Sequence, residues 1–365
     1  MFVVPIVGWM SVDSTYAQRG RRNKSRTAYT HLQSVPADFA WQGEFQGDIY
    51  EGGVWHKLGL QVSAVGDGNF SAVEFAGGLP GSGWDKSARI RMSGQLKDGT
   101  VLFRGKSHHF VVEGDTAMVY RADGQPLGQI VKVLRVSPTL GQHPPAGAEV
   151  LFDGTHVKNF KNGKMTFDGL LKEGTETQKA YRDFTLHIEF RLPFMPYARG
   201  QGRSNSGVYL QGRYEVQILD SFTLDGKHNE CGGLYKTREP DVNMCLPPLS
   251  WQTYDIDFTA ARFENGKKVK NATITVWHNG VMIHDNFAIP NKTGAGAKEG
   301  PNDRATKLQN HGNPVRFRNI WIVDRSKPVR IPSPQVQYAA PSRWQGGNYY
   351  PLRRIPAPRL RGHWE

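Results

Sequence analysis

An all-β chain in two domains is what this sequence predicts, and three observations predict it. Between Asp38 and Val136, short apolar runs such as WQGEFQGDIY, KLGLQVSAV, FSAVEF, TVLFRG and TAMVYR alternate with turns rich in Gly, Asp and Asn, the cadence of a small β domain. Further on, longer segments alternate apolar and polar residues with a period of two, the mark of half-buried strands. No stretch of more than about ten residues shows convincing helical periodicity.

The chain divides by composition. Residues 1–17, MFVVPIVGWMSVDSTYA, are an apolar run followed by small residues, with Thr15 and Ala17 where a signal peptidase prefers them; an export signal is expected there, though a basic leading segment is missing. Residues 18–37, which include RGRRNKSR, are basic and poor in apolar groups, and are expected to be unstructured. Residues 38–136 form the small all-β domain. Within it His108 and His109 are adjacent before a strand, so their side chains diverge, and both are read as surface or turn residues. The glycine-rich loop 77–85, GGLPGSGWD, lacks the Lys-Ser/Thr ending of a phosphate loop.

Residues 137–147, SPTLGQHPPAG, carry three prolines and two glycines with little to bury, which reads as a linker. The second domain, residues 148–325, is expected to be a β-sandwich or jelly roll. Phe184, Leu186, Ile188 and Phe190 alternate there with Thr185, His187, Glu189 and Arg191, and His187 with Glu189 reads as a solvated pair. In 251–258, Tyr254, Ile256 and Phe258 point inward, and Trp251, Thr253, Asp255 and Asp257 outward. Asn279-Gly280 between two apolar arms predicts a hairpin, and VRFRNIWIV at 315–323 a closing strand. Residues 326–365 contain seven prolines, many arginines and no alternating pattern, so a packed domain is not expected there.

The net charge of +13 suggests a nucleic-acid footprint, but its distribution argues otherwise. Residues 1–30 hold five Lys/Arg against one acid and residues 326–365 hold seven against one, leaving a net of three positive charges for the middle of the chain. A nucleic-acid enzyme places its charge on a folded face. No stretch approaches the roughly 20 apolar residues of a membrane-spanning helix. The two cysteines, Cys231 and Cys245, flank one loop, and export would permit a disulfide closing about 15 residues, worth ~3 kcal/mol in the entropic picture; two independent buried thiols are the alternative.

Chemistry concentrates in 199–221, RGQGRSNSGVYLQGRYEVQILDS. Tyr214, Val216 and Ile218 fall on one side of a strand and Glu215 and Gln217 on the other. A bulge at Ile218-Leu219 would bring Asp220 to the side of Glu215 and Gln217. Upstream, Arg203, Asn205, Ser206 and the glycines form a loop with many side-chain donors. His311, in Gln309-Asn310-His311-Gly312-Asn313, lies on a loop at a strand end and is placed to face a cleft.

Four stretches, RGQGRSNSGVYLQGRYEVQILDSF, CGGLYKTREPDVNMCLPPLSWQTYDIDFTAARF, ITVWHNGVMIHD and LQNHGNPVRFRNIWI, resemble the 3-keto-disaccharide hydrolase family over residues 149–323. The resemblance implies a jelly-roll sandwich like that of concanavalin A and the laminarinases, acting on a 3-keto-disaccharide or other 3-keto-glycoside. The E-x-D-x-x-E strand of the laminarinases corresponds here to Glu215, Gln217 and Asp220, with an amide in the middle position. Retaining hydrolysis needs two carboxyls about 5–5.5 Å apart, so that departure suits a different mechanism.

A ketone at C3 acidifies the hydrogen on C2. A base can remove it, and the enolate then expels the group on C1; such a site needs a base, a donor or cation at the ketone oxygen, and an acid at the leaving oxygen. Glu215, His311 and Asp220 are the expected catalytic residues. Asn205, Gln217, Gln309 and Asn310 read hydroxyls, since amides both donate and accept, and Arg203, Arg213 and Trp251 complete the expected substrate contacts. A divalent metal ion as Lewis acid would take Glu215 and His311 as ligands, although no metal-ligand spacing demands one. The alternative from another class is a lectin-like module using Trp251, Trp277 and Tyr209 as stacking platforms and Asn205 as a hydroxyl reader.

Overall fold

The computed structural model describes residues 24–326. The export signal expected at 1–17 and nearly all of the tail expected at 326–365 lie outside the described residues. No described helix is long and apolar enough to cross a membrane.

Eight consecutive antiparallel strands, from Gly43–Glu51 to Pro126–Val133, close into a barrel. Closure is made where Glu44 pairs with Val133 and Gln46 with Val131, so neither edge is left open. Alternate residues fill the lumen: Phe45 and Ile49 from the first strand, Leu58, Leu60 and Val62 from the second, Phe70 and Ala72 from the third. The small all-β domain is therefore a closed barrel.

The second domain is a sandwich of two sheets. One sheet runs Phe160–Lys161, Thr175–Thr177, Lys307–Leu308, Ser206–Leu210, Tyr214–Ile218; the other is built around Phe184–Arg191, Trp251–Thr259, Ala272–His278 and Arg316–Asp324. Val208, Val216 and Ile218 from the first meet Leu186, Ile188, Tyr254 and Ile256 from the second in one buried core. Each such side chain contributes roughly 1.5–3 kcal/mol by leaving water. The hairpin at Asn279-Gly280 forms as expected, with both residues at positive φ (51° and 77°), the backbone of the two-residue turns that suit twisted strands. Cys231 and Cys245 are free thiols buried in the sandwich core. The Cys231 sulfur lies 3.1 Å from the Tyr254 hydroxyl, which donates to the Gln217 carbonyl.

Several sequence expectations are corrected. Residues 137–142 pack against the outer face of the second sheet: Ser137 meets the Thr253 hydroxyl at 2.6 Å, Thr139 donates to Asp255, and the Gly141 amide donates to Glu189. Short polar residues find partners on a polar strand face, a possibility that proline content conceals. His187 is consequently not solvated. It is fully buried beneath this strap, 2.6 Å from Asp255 and stacked on Trp321. Residues 24–37 are not unstructured either, since Tyr29 pairs with Phe194 and residues 32–34 form a turn of 3-10 helix. His108 is also no surface residue: it points into the barrel lumen, only 8% exposed, between Glu74 and Glu51.

Barrel and sandwich share packing. Phe194, from the loop after Phe184–Arg191, is part of the barrel core, edge-on to Phe39 with ring centres 4.9 Å apart. Arg91 donates to the Thr223 carbonyl and pairs with Asp225, and Arg203 of the sandwich donates to Ser63 of the barrel.

Candidate active site

The strand Tyr214–Ile218 is paired with Ser206–Leu210 through a tight turn in which Gln211 and Gly212 both have positive φ. That turn sets the register, and the register sets the site. Tyr209 stands opposite Glu215, and Gly207 opposite Gln217, all on the face away from the sandwich core. On the other edge of Tyr214–Ile218, residues 232–235 supply backbone partners: Gln217 donates to the Gly233 carbonyl and Tyr235 to the Glu215 carbonyl. The Glu215 amide donates to the Thr293 hydroxyl at 2.6 Å.

Glu215 is 2% exposed. Its carboxylate lies over Gly207, in the volume a Cβ there would occupy. With the amide nitrogen facing acceptors, Gln217 donates to Glu215 Oε1 and to the Ser206 carbonyl, each at 2.9 Å. Burial pushes the Glu215 carboxyl up to about 7, opposed by the Tyr209 hydroxyl, which donates to it, and by the Lys307 ammonium. Lys307 pairs in register with Tyr209, and its Nζ lies 5.8 Å from the Tyr209 ring centre. Burial, with Glu215 beside it, raises the Tyr209 hydroxyl far above its usual range, so it remains a neutral donor. A carboxyl near neutrality beside fixed donors can exchange a proton at ordinary pH.

The amides expected here converge in part. The Asn205 side chain donates to the carbonyl and Oε1 of Gln201, and Gln201 is 3.0 Å from Gln217. Gln309 is drawn in by its backbone amide, which donates to the Gly207 carbonyl, and by its carbonyl, which accepts from the Ser206 hydroxyl, and its Nε2 reaches toward the Tyr209 hydroxyl at 3.4 Å. Asn205 Oδ1 and Gln309 Oε1 are buried acceptors without a partner. Buried acceptors are rarely left so, and sugar hydroxyls would satisfy both. Asn310 is exposed and accepts from the Gly312 amide. His311 is exposed on the same loop, two residues beyond Gln309, with no hydrogen bond to Glu215.

Other expected members lie elsewhere. Asp220 does not line up with Glu215 and Gln217; the strand ends at Ile218, and both Asp220 oxygens are taken, one by Arg203 Nε at 2.7 Å and the other by the Phe222 amide. Arg203 is spent on Asp220 and Ser63. Arg213 bonds Gln211 and the Lys298 carbonyl. Trp251 is on the outer face of the opposite sheet, between Arg191 and Arg318, and Trp277 shares that face. Glu215 and His311 are not brought together as a ligand pair, and among the described residues no group of three or more His, Cys, Asp or Glu side chains forms a metal site.

Sequence reasoning passed over Gln201, Lys307 and Tyr235, and weighed Tyr209 only as a stacking platform. A glycine inside a strand signals a close approach, and Gly207 directly opposite Gln217 was the available signal for the crowded carboxyl.

The sequence profile described as the 3-keto-alpha-glucoside-1,2-lyase-like domain matches residues 147–323. The chain belongs to this family. Among solved structures, a protein of Parabacteroides distasonis provisionally described as a glycosyl hydrolase is 32% identical over 49% of this chain and 84% of its own, with a TM-score of 0.46. Two others from the same organism, with the same provisional description, are 19% and 21% identical over 94% and 98% of their own lengths, with TM-scores of 0.36 and 0.35. No curated protein matches the chain. Within this 3-keto-alpha-glucoside-1,2-lyase-like domain, Glu215, Gln217, Tyr209, Asn205 and Gln309 make up the polar cluster just described.

Proposed function

We propose that this chain is an exported enzyme that cleaves the glycosidic bond of 3-keto-disaccharides and related 3-keto-glycosides by elimination through an enolate, followed by hydration. The observation that carries the reading is a single buried carboxyl, Glu215, held near neutrality among fixed donors. In the proposed reaction Glu215 takes the proton from C2, and the C–H electron pair becomes the C2–C3 double bond of the enolate. Tyr209 and Lys307 hold the ketone oxygen as it gains charge. When the ketone re-forms, the pair moves to C1–C2 as the C1–O bond breaks, and the leaving oxygen takes a proton from His311 at the rim or from water. Water then adds across C1–C2 to give the free 3-keto sugar.

Direct displacement at C1 would need a second carboxyl near Glu215, and Asp220, the expected one, is committed to Arg203. A lectin face would have no use for a carboxyl in this state, and the tryptophans expected to serve it stand on the other sheet. The test is incubation with a 3-keto-disaccharide beside its unoxidised parent. Cleavage of the keto sugar alone supports the reading, and equal cleavage of both overturns it.

A further inference from the structure

The outer face of the second sheet carries a row of cations. The short strand Leu171–Lys172 pairs with Arg316–Asp324, and Lys172, Arg316, Arg191 and Trp251 stand in register across four neighbouring strands. The residues beside them in sequence, Leu171, Phe317 and Phe190, belong to the sandwich core, so the row projects from the opposite face. Residues 164–172 fold back on themselves, with Met165 bridged to Leu171. Together with residues 30 and 31 they wall a cavity of about 200 Å³ over the row. Its charged lining is Lys172, Arg191, Arg316, Asp168 and the ring of His31.

The cations differ in what holds them. Arg316 donates to Glu173 and Arg318, further along the same strand, to Glu189, each at 2.7 Å. Arg191 has only the Trp251 ring, whose centre is 5.0 Å from its guanidinium carbon. Among the described residues, neither Arg191 nor Lys172 makes a hydrogen bond or ion pair through its side chain. Burial lowers the pKa of Arg191, as do Arg318 and Arg316, while Asp168 opposes them. Asp168 is nearest to His31, 3.7 Å from Nε2. With Asp168 and Glu173 set against Lys172, Arg191 and Arg316, one positive charge is left over. Part-buried donors without an acceptor favour a ligand that brings one. A neutral ligand would leave the charge unmatched, and a dianion would exceed it and meet Asp168. A carboxylate matches it, and its two oxygens suit the planar fork of a guanidinium.

We propose that this cavity binds a small, singly charged carboxylate, held by Arg191 and Lys172 with Arg316 beside them. The site lies on the sheet opposite Glu215 and does not rest on the proposed reaction.

The experiment follows the indole N–H resonance of Trp251, identified by its loss in Trp251→Phe, in the full chain at low salt, where screening is weakest. Sodium acetate and sodium glucuronate are titrated in parallel with glucose and inorganic phosphate. At least one of the two carboxylates should shift the resonance saturably, and glucose should not. Because Arg191→Gln alters the surroundings of Trp251, the variants are compared by calorimetry. Arg191→Gln should weaken the carboxylate about tenfold, the scale of one hydrogen bond to a charged group. Lys172→Met, at a half-exposed position that folding tolerates, should also weaken it severalfold, and decides the matter if Arg191→Gln fails to fold. Asp168→Asn should tighten it, since the carboxylate on the cavity wall repels the ligand. No shift with either carboxylate, an equal shift with glucose, tighter binding of phosphate than of both carboxylates, or affinity unchanged in Arg191→Gln and Lys172→Met would overturn the proposal.

Discussion

Glu215 lies across Gly207, its carboxylate in the space where any other residue would carry its Cβ. Gly207 is not among the glycines with positive φ, so the position needs glycine for room rather than for backbone freedom. Gly207→Ala should therefore fold, yet displace Glu215 and lower kcat by roughly 10²-fold, the scale for losing a positioned acid or base. Wild-type kcat in a folded Gly207→Ala protein would show that the packed position of Glu215 is not the working one.

Burial gives Glu215 a pH signature in activity. As the proposed base it acts ionised, so kcat/KM on the keto substrate should rise with pH to a plateau above about 7. The Tyr209 hydroxyl and the Lys307 charge both favour the ionised form. Tyr209→Phe and Lys307→Met should each move the midpoint to higher pH, and a midpoint near that of an ordinary exposed glutamate would contradict the assignment.

Stability should carry the opposite sign. The folded-state value of about 7 is above the ordinary glutamate value of 4.5, so between them the folded protein keeps a proton that the unfolded chain has released. The contribution is complete below about 4.5 and is lost as pH rises through 7, a change on the order of 3 kcal/mol. Comparison of denaturant midpoints for wild type and Glu215→Gln across that range isolates it, because the amide cannot titrate; identical pH profiles would count against the raised value.

Arg203 ties the site loop to both domains through Asp220 and Ser63. Removing one partner of a buried ion pair leaves the other uncompensated, so Asp220→Ala should destabilise the protein by about 3–5 kcal/mol. The residual activity of Asp220→Asn should keep the wild-type pH profile if Asp220 positions Arg203, whereas loss of one limb of that profile would restore Asp220 as a proton donor. Phe194 makes a related point about the domains. A fragment of residues 149–325 exposes a ring that belongs in the barrel core, and Phe194→Ala in the full chain should cost about 3–5 kcal/mol. A soluble, fully active fragment would show that the shared packing is dispensable.

The parts of this architecture legible in the sequence were those governed by local periodicity. Alternation placed Tyr214, Val216 and Ile218 inward with Glu215 and Gln217 outward, and Asn279-Gly280 marked its turn. What was hidden depended on contacts across the chain. Nothing near Asp220 announces that Arg203 will claim it, and the residues around Ser137 look like spacer until Thr253 and Asp255 are seen beneath them. His108 looked like a surface residue because the closure that turns a strand face into a barrel lumen is not a local property. Trp251 was correctly read as outward, but outward on the sheet opposite Glu215.

The central claim is that the bond at C1 breaks only after the hydrogen at C2 has left, and the isotope content of the product tests it most directly. Cleavage of a 3-keto-disaccharide in deuterated water, stopped early and corrected for exchange of the free keto sugar, should give product with deuterium at C2, since the proton taken by Glu215 is replaced from solvent when water adds. Product retaining its original hydrogen at C2 would mean direct displacement at C1, and would contradict the account.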